Sequence, residues 1–221
     1  MSTHPLNARF AEEPADHRAW VGLHGSSLAL ALQSAAAAHD GITLVVTRSS
    51  HQAHMLARDI ELLSASPLPV WLFPDHETLP YDPFSPHPDI IADRLKTLAA
   101  LAAAPQGMLL SPVSSLVQRL PPADYILQRS FDLAAGQALS IEDFRRRLHH
   151  AGYEPAEQVY QSGQYAIRGS VIDLYPAGSS TPYRLDLFDE EIETIRVFDP
   201  ESQRSTGRIE QIALLPAREY P

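Results

Sequence analysis

Gly22, Gly25, Ser26 and Ser27 stand in the stretch "WVGLHGSSLALAL", where an apolar run meets a glycine turn and then a helix-like segment. Residues of these types at this spacing could hold a phosphate. Glycines let backbone amides curl around the anion, and the helix that follows points its free N–H groups at it. A working Walker-type loop needs more: Gly-x4-Gly-Lys-Ser/Thr, with the lysine against the outer phosphates and the hydroxyl on magnesium. Here the lysine position is empty, and the next basic residue after Arg18 is Arg48. An acidic pair after a buried strand is also missing from "LVVTRSS" and "MLLSPVSS". The simpler expectation is a helix cap made by Gly25, Ser26 and Ser27, without catalysis.

Other chemical candidates are weaker. His51 and His54 have the i, i+3 spacing of half a metal site, but no carboxylate cluster completes it. His149 and His150 close a helix, where imidazoles suit the dipole. Asp75, Glu77, Asp82 and Asp89 crowd one loop without ligand spacing, and "DEEIE" at 189–193 reads as a charged hairpin turn. No metal or cofactor is expected.

Bulk properties narrow the function classes. The chain has 221 residues, 44% apolar, which suits one or two domains with a real core. It has no cysteine, which excludes disulfides, thiolate zinc sites and cysteine nucleophiles. The absence of a signal-peptide pattern, and of any apolar run of about 18 residues, leads to the expectation of a cytoplasmic chain with no membrane partner. The net charge is −10, with 7 basic and 11 acidic groups in residues 1–120 and 10 and 16 in residues 121–221. Neither half offers the basic excess that duplex DNA usually demands.

The elements that must position these residues fall into two patterns. Up to about residue 120, strand-like "WVGLHG", "GITLVVT", "LPVWLF" and "GMLLSP" alternate with helix-like "SSLALALQSAAAAHD", "SSHQAHMLARDIELLSAS", "DIIADRLKTLAALAAA" and "SSLVQRL". Such alternation implies βα units and a parallel sheet with helices on both faces. Between them "PDHETLPYDPFSPHP", with five prolines, must be a surface loop. "PPAD" at 121–124 marks a boundary. "LSIEDFRRRLHHAGY" then reads as an amphipathic helix capped by Ser140 and stopped by Gly152. "AEQVY", "QYAIRGSVIDLYP", "PYRLDLF", "IETIRVF" and "RIEQIALL" follow as an antiparallel sheet, an α+β pattern.

"PYRLDLF-DEE-IETIRVF" reads as a hairpin with a three-residue connection, Phe188 opposite Ile192. That register puts Leu185 against Ile195 and Tyr183 against Val197 on a core face. It puts Arg184 against Arg196, Asp186 against Thr194, and Phe188, on the other face. Facing arginines repel, and arginine beside an aromatic is the composition of an interface anchor. The alternative is that Phe188 is covered by the helix at 140–151 or by the other domain, with the arginines paired to the acidic turn. The pattern alone leaves both open.

"QYAIRGSVIDLYP" and "YRLDLFDEEIETIRVFDPESQRS" closely resemble the second domain shared by the bacterial excision-repair protein UvrB and the transcription-repair coupling factor, Mfd. "ETLPYDPFSPHPDIIADRLKTLAAL" resembles the coupling factor rather than UvrB. Two departures from UvrB matter: the phosphate loop is replaced by "GLHGSSLAL", and the Pro-rich loop is too short for UvrB's DNA-wedging hairpin. The resemblance implies a degenerate P-loop, helicase-like first domain at 1–122, a relic of UvrB domain 1a whose nucleotide site is lost. It implies a UvrA-binding α+β domain at 123–214, and at 215–221 the start of a following segment of a longer protein.

The same resemblance implies that Arg168 in "AIRG", Arg184 and Phe188 contact UvrA. Arg184 and Phe188 are also on the outward face of the hairpin register, and Arg196 joins them from register alone. Guanidinium groups suit partner carboxylates. The function implied is a monomeric, non-catalytic module that recruits UvrA to a stalled RNA polymerase. ATP-driven translocation, polymerase contact and DNA contact are assigned to other parts of the longer parent. The alternative is a nucleotide- or DNA-binding domain of a UvrB-like helicase.

Overall fold

The computed structural model describes residues 8–10, 17–63, 68–78, 82–83 and 85–220; parts of the Pro-rich loop fall outside the described residues. The chain is mixed α/β, with a three-stranded parallel sheet, a six-stranded sheet that is antiparallel but for one edge pair, and a two-stranded antiparallel ladder. It divides into two compact units, one built from positions up to Asp75 with Ala100–Arg119, the other from His76–Ala99 with the residues from Leu120 onward.

In chain order the first part contains α1 (Ser27–Ala37), β1 (Ile42–Thr47), α2 (Ser50–Leu63), β2 (Val70–Leu72), α3 (Pro88–Ala103), β3 (Gly107–Pro112) and the one-turn α4 (Val113–Leu116). The unit boundary falls within α3. The parallel sheet runs β1-β3-β2. Val45 pairs with Leu110, and Met108 and Leu110 pair with Val70 and Leu72. These side chains share one face, and Ala29, Leu32 and Ala36 of α1 with Ala53, Leu56 and Ile60 of α2 pack against it. Leu44 and Val46, of opposite parity on β1, stay half exposed. The expected cover on both faces is therefore uneven among the described residues.

One expected strand is absent. "WVGLHG" forms no strand. Val21 is 71% exposed, and Gly22 turns the chain at a φ of 74°. Trp20 and Leu23 pack onto the core from an irregular segment, and without a neighbouring strand to pair with, apolar residues alone do not make a strand.

Gly107 shows the opposite case, a backbone position fixed by packing. Its φ is 158°, and a Cβ there would run into the Trp71 ring and lie 2.9 Å from the Pro69 carbonyl oxygen. Gly107→Ala is expected to destabilise the first unit by about 1–3 kcal/mol through overpacking. Trp20 and Trp71, the chain's two tryptophans, both lie in this unit, so fluorescence-detected urea unfolding reads it directly. An unchanged midpoint would remove the steric argument.

The second unit contains α5 (Ala123–Arg129), β4 (Phe131–Ala134), α6 (Ile141–His150), β5 (Glu154–Pro155), β6 (Gln164–Arg168), β7 (Val171–Leu174), β8 (Tyr183–Phe188), β9 (Glu191–Phe198), β10 (Ser205–Ile209) and β11 (Gln211–Leu214). The large sheet runs β10-β9-β8-β7-β6-β5, and β11 pairs with β4. α6 begins where the sequence predicts: the Ser140 hydroxyl accepts from the Asp143 amide at 3.5 Å, and Gly152 turns the chain at a φ of 84°. Phe144 and Leu148 of α6 enter one core with Ile172, Leu174, Leu185, Ile192 and Ile195 of the sheet.

Three expectations in this unit are corrected. "AEQVY" is irregular, and the edge strand β5 precedes it. "RIEQIALL" is two strands in two sheets, because β10 ends at Ile209 and the chain crosses to pair Gln211–Leu214 with β4. α5 and β4 had no counterpart in the sequence reading.

Candidate functional site

Three strands, β6, β8 and β9, carry the candidate residues. Arg168 ends β6, and Gly169, at a φ of 61°, opens the turn to β7. Arg184 stands opposite Asp173 on β7 and opposite Arg196 on β9; Arg208 of β10 stands opposite Arg196 in turn. One row thus reads Asp173, Arg184, Arg196, Arg208 across four strands. The next row pairs Val171 with Asp186 and Asp186 with Thr194. All of these share the parity opposite to Ile172, Leu185 and Ile195, which face α6, so the rows lie on the outer face.

The hairpin register holds from Tyr183 to Asp186 and then shifts. A bulge between Asp186 and Leu187 makes Leu187, not Phe188, the partner of Ile192, and places Phe188 opposite Glu191. The connection is two residues, Asp189 and Glu190, with Asp189 at a φ of 53°. The extra residue is Glu193 on β9; it turns Ile192 into the core beside Leu187, while the unbroken alternation of β8 leaves the Phe188 ring outside at 70% exposure. Neither α6 nor any other described element covers that ring.

The facing arginines are resolved by two aspartates. Arg184 Nε donates to Asp173 Oδ1 at 2.6 Å and its Nη2 to Oδ2 at 2.9 Å, a two-pronged grip. Its Nη1 donates to the Gln203 carbonyl at 3.1 Å, and its guanidinium lies 4.9 Å from the Phe198 ring centre. Arg168 donates to the same Asp173 carboxylate and to the Glu157 carbonyl at 3.0 Å. Arg196 donates to Asp186 at 2.5 Å, which also accepts from the Thr194 hydroxyl at 2.7 Å. The acidic turn at 189–193 forms none of these pairs. The hydrogen bond that Arg184 donates to Asp173 pushes the Arg184 pKa further up; burial opposes it, and the charges of Asp173 and Asp186 add to it.

Exposure then separates the four. The Arg184 side chain is 18% exposed, while Arg168 and Arg196 are 45% and 41% exposed. Arg184 is largely committed to its own sheet. Arg168, Arg196 and Phe188 present their ends to the outside. Sequence reasoning missed Asp173, Asp186 as an anchor, and Arg208. Carrying the β8 alternation one strand further, to "SVIDLYP", would have set Asp173 against Arg184 and found the first of them.

The glycine–serine segment is a different kind of place. Gly22 and Gly25 have positive φ, and among the described residues nothing beyond their chain neighbours stands within 4 Å of where a Cβ would be. Ser26 occupies the N-cap of α1 without a side-chain capping bond, which corrects the expected cap; the Ser27 hydroxyl donates to the His24 carbonyl at 2.8 Å. No strand leads into the turn. His51 and His54 sit exposed on α2, and no group of three metal-ligating side chains occurs among the described residues. None of the helices among those residues is long and apolar enough to cross a membrane.

Residues 131–220, which hold the whole ladder, match the family model of the UvrB interaction domain. Over 95% of its length the chain is 43% identical to the transcription-repair-coupling factor of Haemophilus influenzae. Over 90% it is 41% identical to that of Escherichia coli strain K12. Over 80% it is 32% identical to that of Staphylococcus epidermidis. The chain spans 18%, 17% and 15% of those relatives, less than a fifth of their length.

Proposed function

We propose that the outer face of the six-stranded sheet docks the excision-repair protein UvrA, a reading that starts from the match of residues 131–220 to the UvrB interaction domain and from the similarity of the chain to transcription-repair-coupling factors. Phe188 is the hydrophobic anchor. Arg168 and Arg196, whose ends reach the outside, and the more buried Arg184 share its face of the sheet, and guanidinium groups suit carboxylates on UvrA. On this reading the chain is a non-catalytic module that brings UvrA to a stalled RNA polymerase. ATP-driven movement on DNA and contact with the polymerase belong to other parts of a longer protein.

The observation that carries the reading is the Phe188 ring itself, 70% exposed at the end of β8 on the face that carries Arg184 and Arg196, while Leu187 and Ile192 beside it are buried. A large exposed ring beside oriented cations has no use inside the domain. The competing reading, a nucleotide- or DNA-binding domain of a UvrB-like helicase with a degenerate P-loop, draws no comparable support. Its Gly22–Ser27 segment has no strand before it and no lysine after it.

Phe188→Ala is the cleanest test, because the ring supports nothing within the fold. It is expected to weaken UvrA binding by about 1–4 kcal/mol, the range of interface hot spots, with an unchanged melting temperature. Binding by the variant at wild-type affinity would remove UvrA docking from this face.

A further inference from the structure

A second cluster of cations lies on the other side of the same domain. α5 ends in Gln128 and Arg129, β4 begins at Phe131, and the last turn of α6 brings Arg147 and His150. These five residues line a notch of about 270 Å³. The Arg147 guanidinium lies 4.0 Å from the Phe131 ring centre, and that of Arg129 lies 4.0 Å from the Tyr125 ring centre. Arg129 spends its Nε on the His150 carbonyl at 3.0 Å. Arg147 donates no hydrogen bond to any described residue.

Arg94, Arg146, Arg168, Arg184, Arg196 and Arg218 each pair with a carboxylate. Neither Arg129 nor Arg147 has a carboxylate within ion-pair distance among the described residues. The lining of the notch holds two guanidiniums and no Asp or Glu, although Asp124, Asp132, Asp143 and Glu154 stand just outside it in the sequence. In a protein of net charge −10, such a lining is a small patch of the opposite sign. The ends of α5 and α6 bring about half a negative charge each, which the two guanidiniums more than offset. Stacking on a ring holds a guanidinium plane in place and strips part of its water, so less freedom is lost when its N–H edge meets an oxyanion.

We propose that the notch formed by Arg129, Arg147, His150 and Phe131 is a docking site for a short acidic peptide segment of a partner protein, separate from the face that carries Phe188. The separation follows from the fold. Phe144 and Leu148 pack α6 onto the inner face of the sheet, so the α6 end and the arginine ladder lie on opposite sides of one domain and can be occupied together. A short segment is favoured over nucleic acid by charge. Duplex affinity is built from many phosphate contacts and is opposed here by the acidic remainder of the chain. A few carboxylates sense only the field within a Debye length of about 8 Å, where the notch dominates.

The test uses the full chain and a labelled hexaglutamate peptide, followed by fluorescence anisotropy at low and physiological ionic strength. Saturable binding is expected, weakened about tenfold by Arg147→Gln, the loss of one charge-assisted contact. Arg145→Gln removes the same charge from the same helix but lies outside the notch, and should leave binding nearly intact, as should Phe188→Ala. Three results would overturn the proposal: no binding by the wild type, equal weakening by the Arg145 and Arg147 variants, or tighter binding of an oligothymidylate that Arg147→Gln abolishes.

Discussion

Arg94→Met is expected to destabilise the second unit by about 3–5 kcal/mol, the cost of breaking a buried ion pair on one side. Arg94 is fully buried on α3 and donates to Glu219, which is itself only 3% exposed. A second donation, from Nη2 to Oε2, spans 3.4 Å, and His76 Nε2 stands 3.4 Å from the same oxygen. Methionine leaves that carboxylate inside the protein with only an imidazole beside it. The loss should extend to the segment that Glu219 secures, where the Ala217 amide donates to the Ala151 carbonyl at 2.7 Å and the Tyr153 hydroxyl to the Leu215 carbonyl at 2.8 Å. Burial pushes the Tyr153 phenol well up, so it keeps its proton for that bond. Both tryptophans lie in the other unit, so tyrosine near-UV circular dichroism during urea unfolding is the measurement. The double variant Arg94→Met/Glu219→Leu should recover most of the stability, since an apolar pair can replace a buried ion pair at little cost. A single variant within about 1 kcal/mol of wild type, the ordinary worth of an exposed pair, would mean the clasp is not a structural tie.

That clasp also marks where sequence reasoning stopped. "DIIADRLKTLAALAAA" has the period of an amphipathic helix, and it is one. Nothing in a period of about 3.6 tells that Arg94 is fully buried in it, because the partner lies 125 positions away. Long-range charge pairing has no local signature. The same holds for "RIEQIALL", which has one continuous alternation but serves two sheets. The alternation of Tyr183–Asp186 against Thr194–Val197 was legible, and with it the outward side of Arg184 and Arg196. The outward side of Phe188 was legible from the same alternation, but the bulge was not: a regular β9 would put Ile192 outside, and packing beside Leu187 turns it into the core at the cost of one unpaired residue, Glu193. The outcome is a ring that is more exposed than the arginine four residues before it.

Asp173→Asn should then separate support from contact on that face. The carboxylate is fully buried and takes charge-assisted donations from both Arg168 and Arg184. An amide in its place keeps the shape, turns an N–H₂ group toward the guanidiniums and removes the charge. Arg168, 45% exposed, can turn into water, so its loss is discounted by solvent screening. Arg184, 18% exposed and held over Phe198, cannot leave as freely. A loss of about 3–5 kcal/mol is expected, mostly through Arg184 left without its counter-charge. Native-state hydrogen exchange of β7 and β8 amides reads it in the right place. If the sheet face docks UvrA, the variant should also weaken UvrA binding although Asp173 reaches no surface. Its effect should combine non-additively with Arg184→Gln and additively with Phe188→Ala, whose ring makes no contact with the ladder. An additive result with Arg184→Gln would show that the two groups act independently. The arginines would then owe their orientation to the backbone alone, and the buried aspartate would carry no part in presenting them.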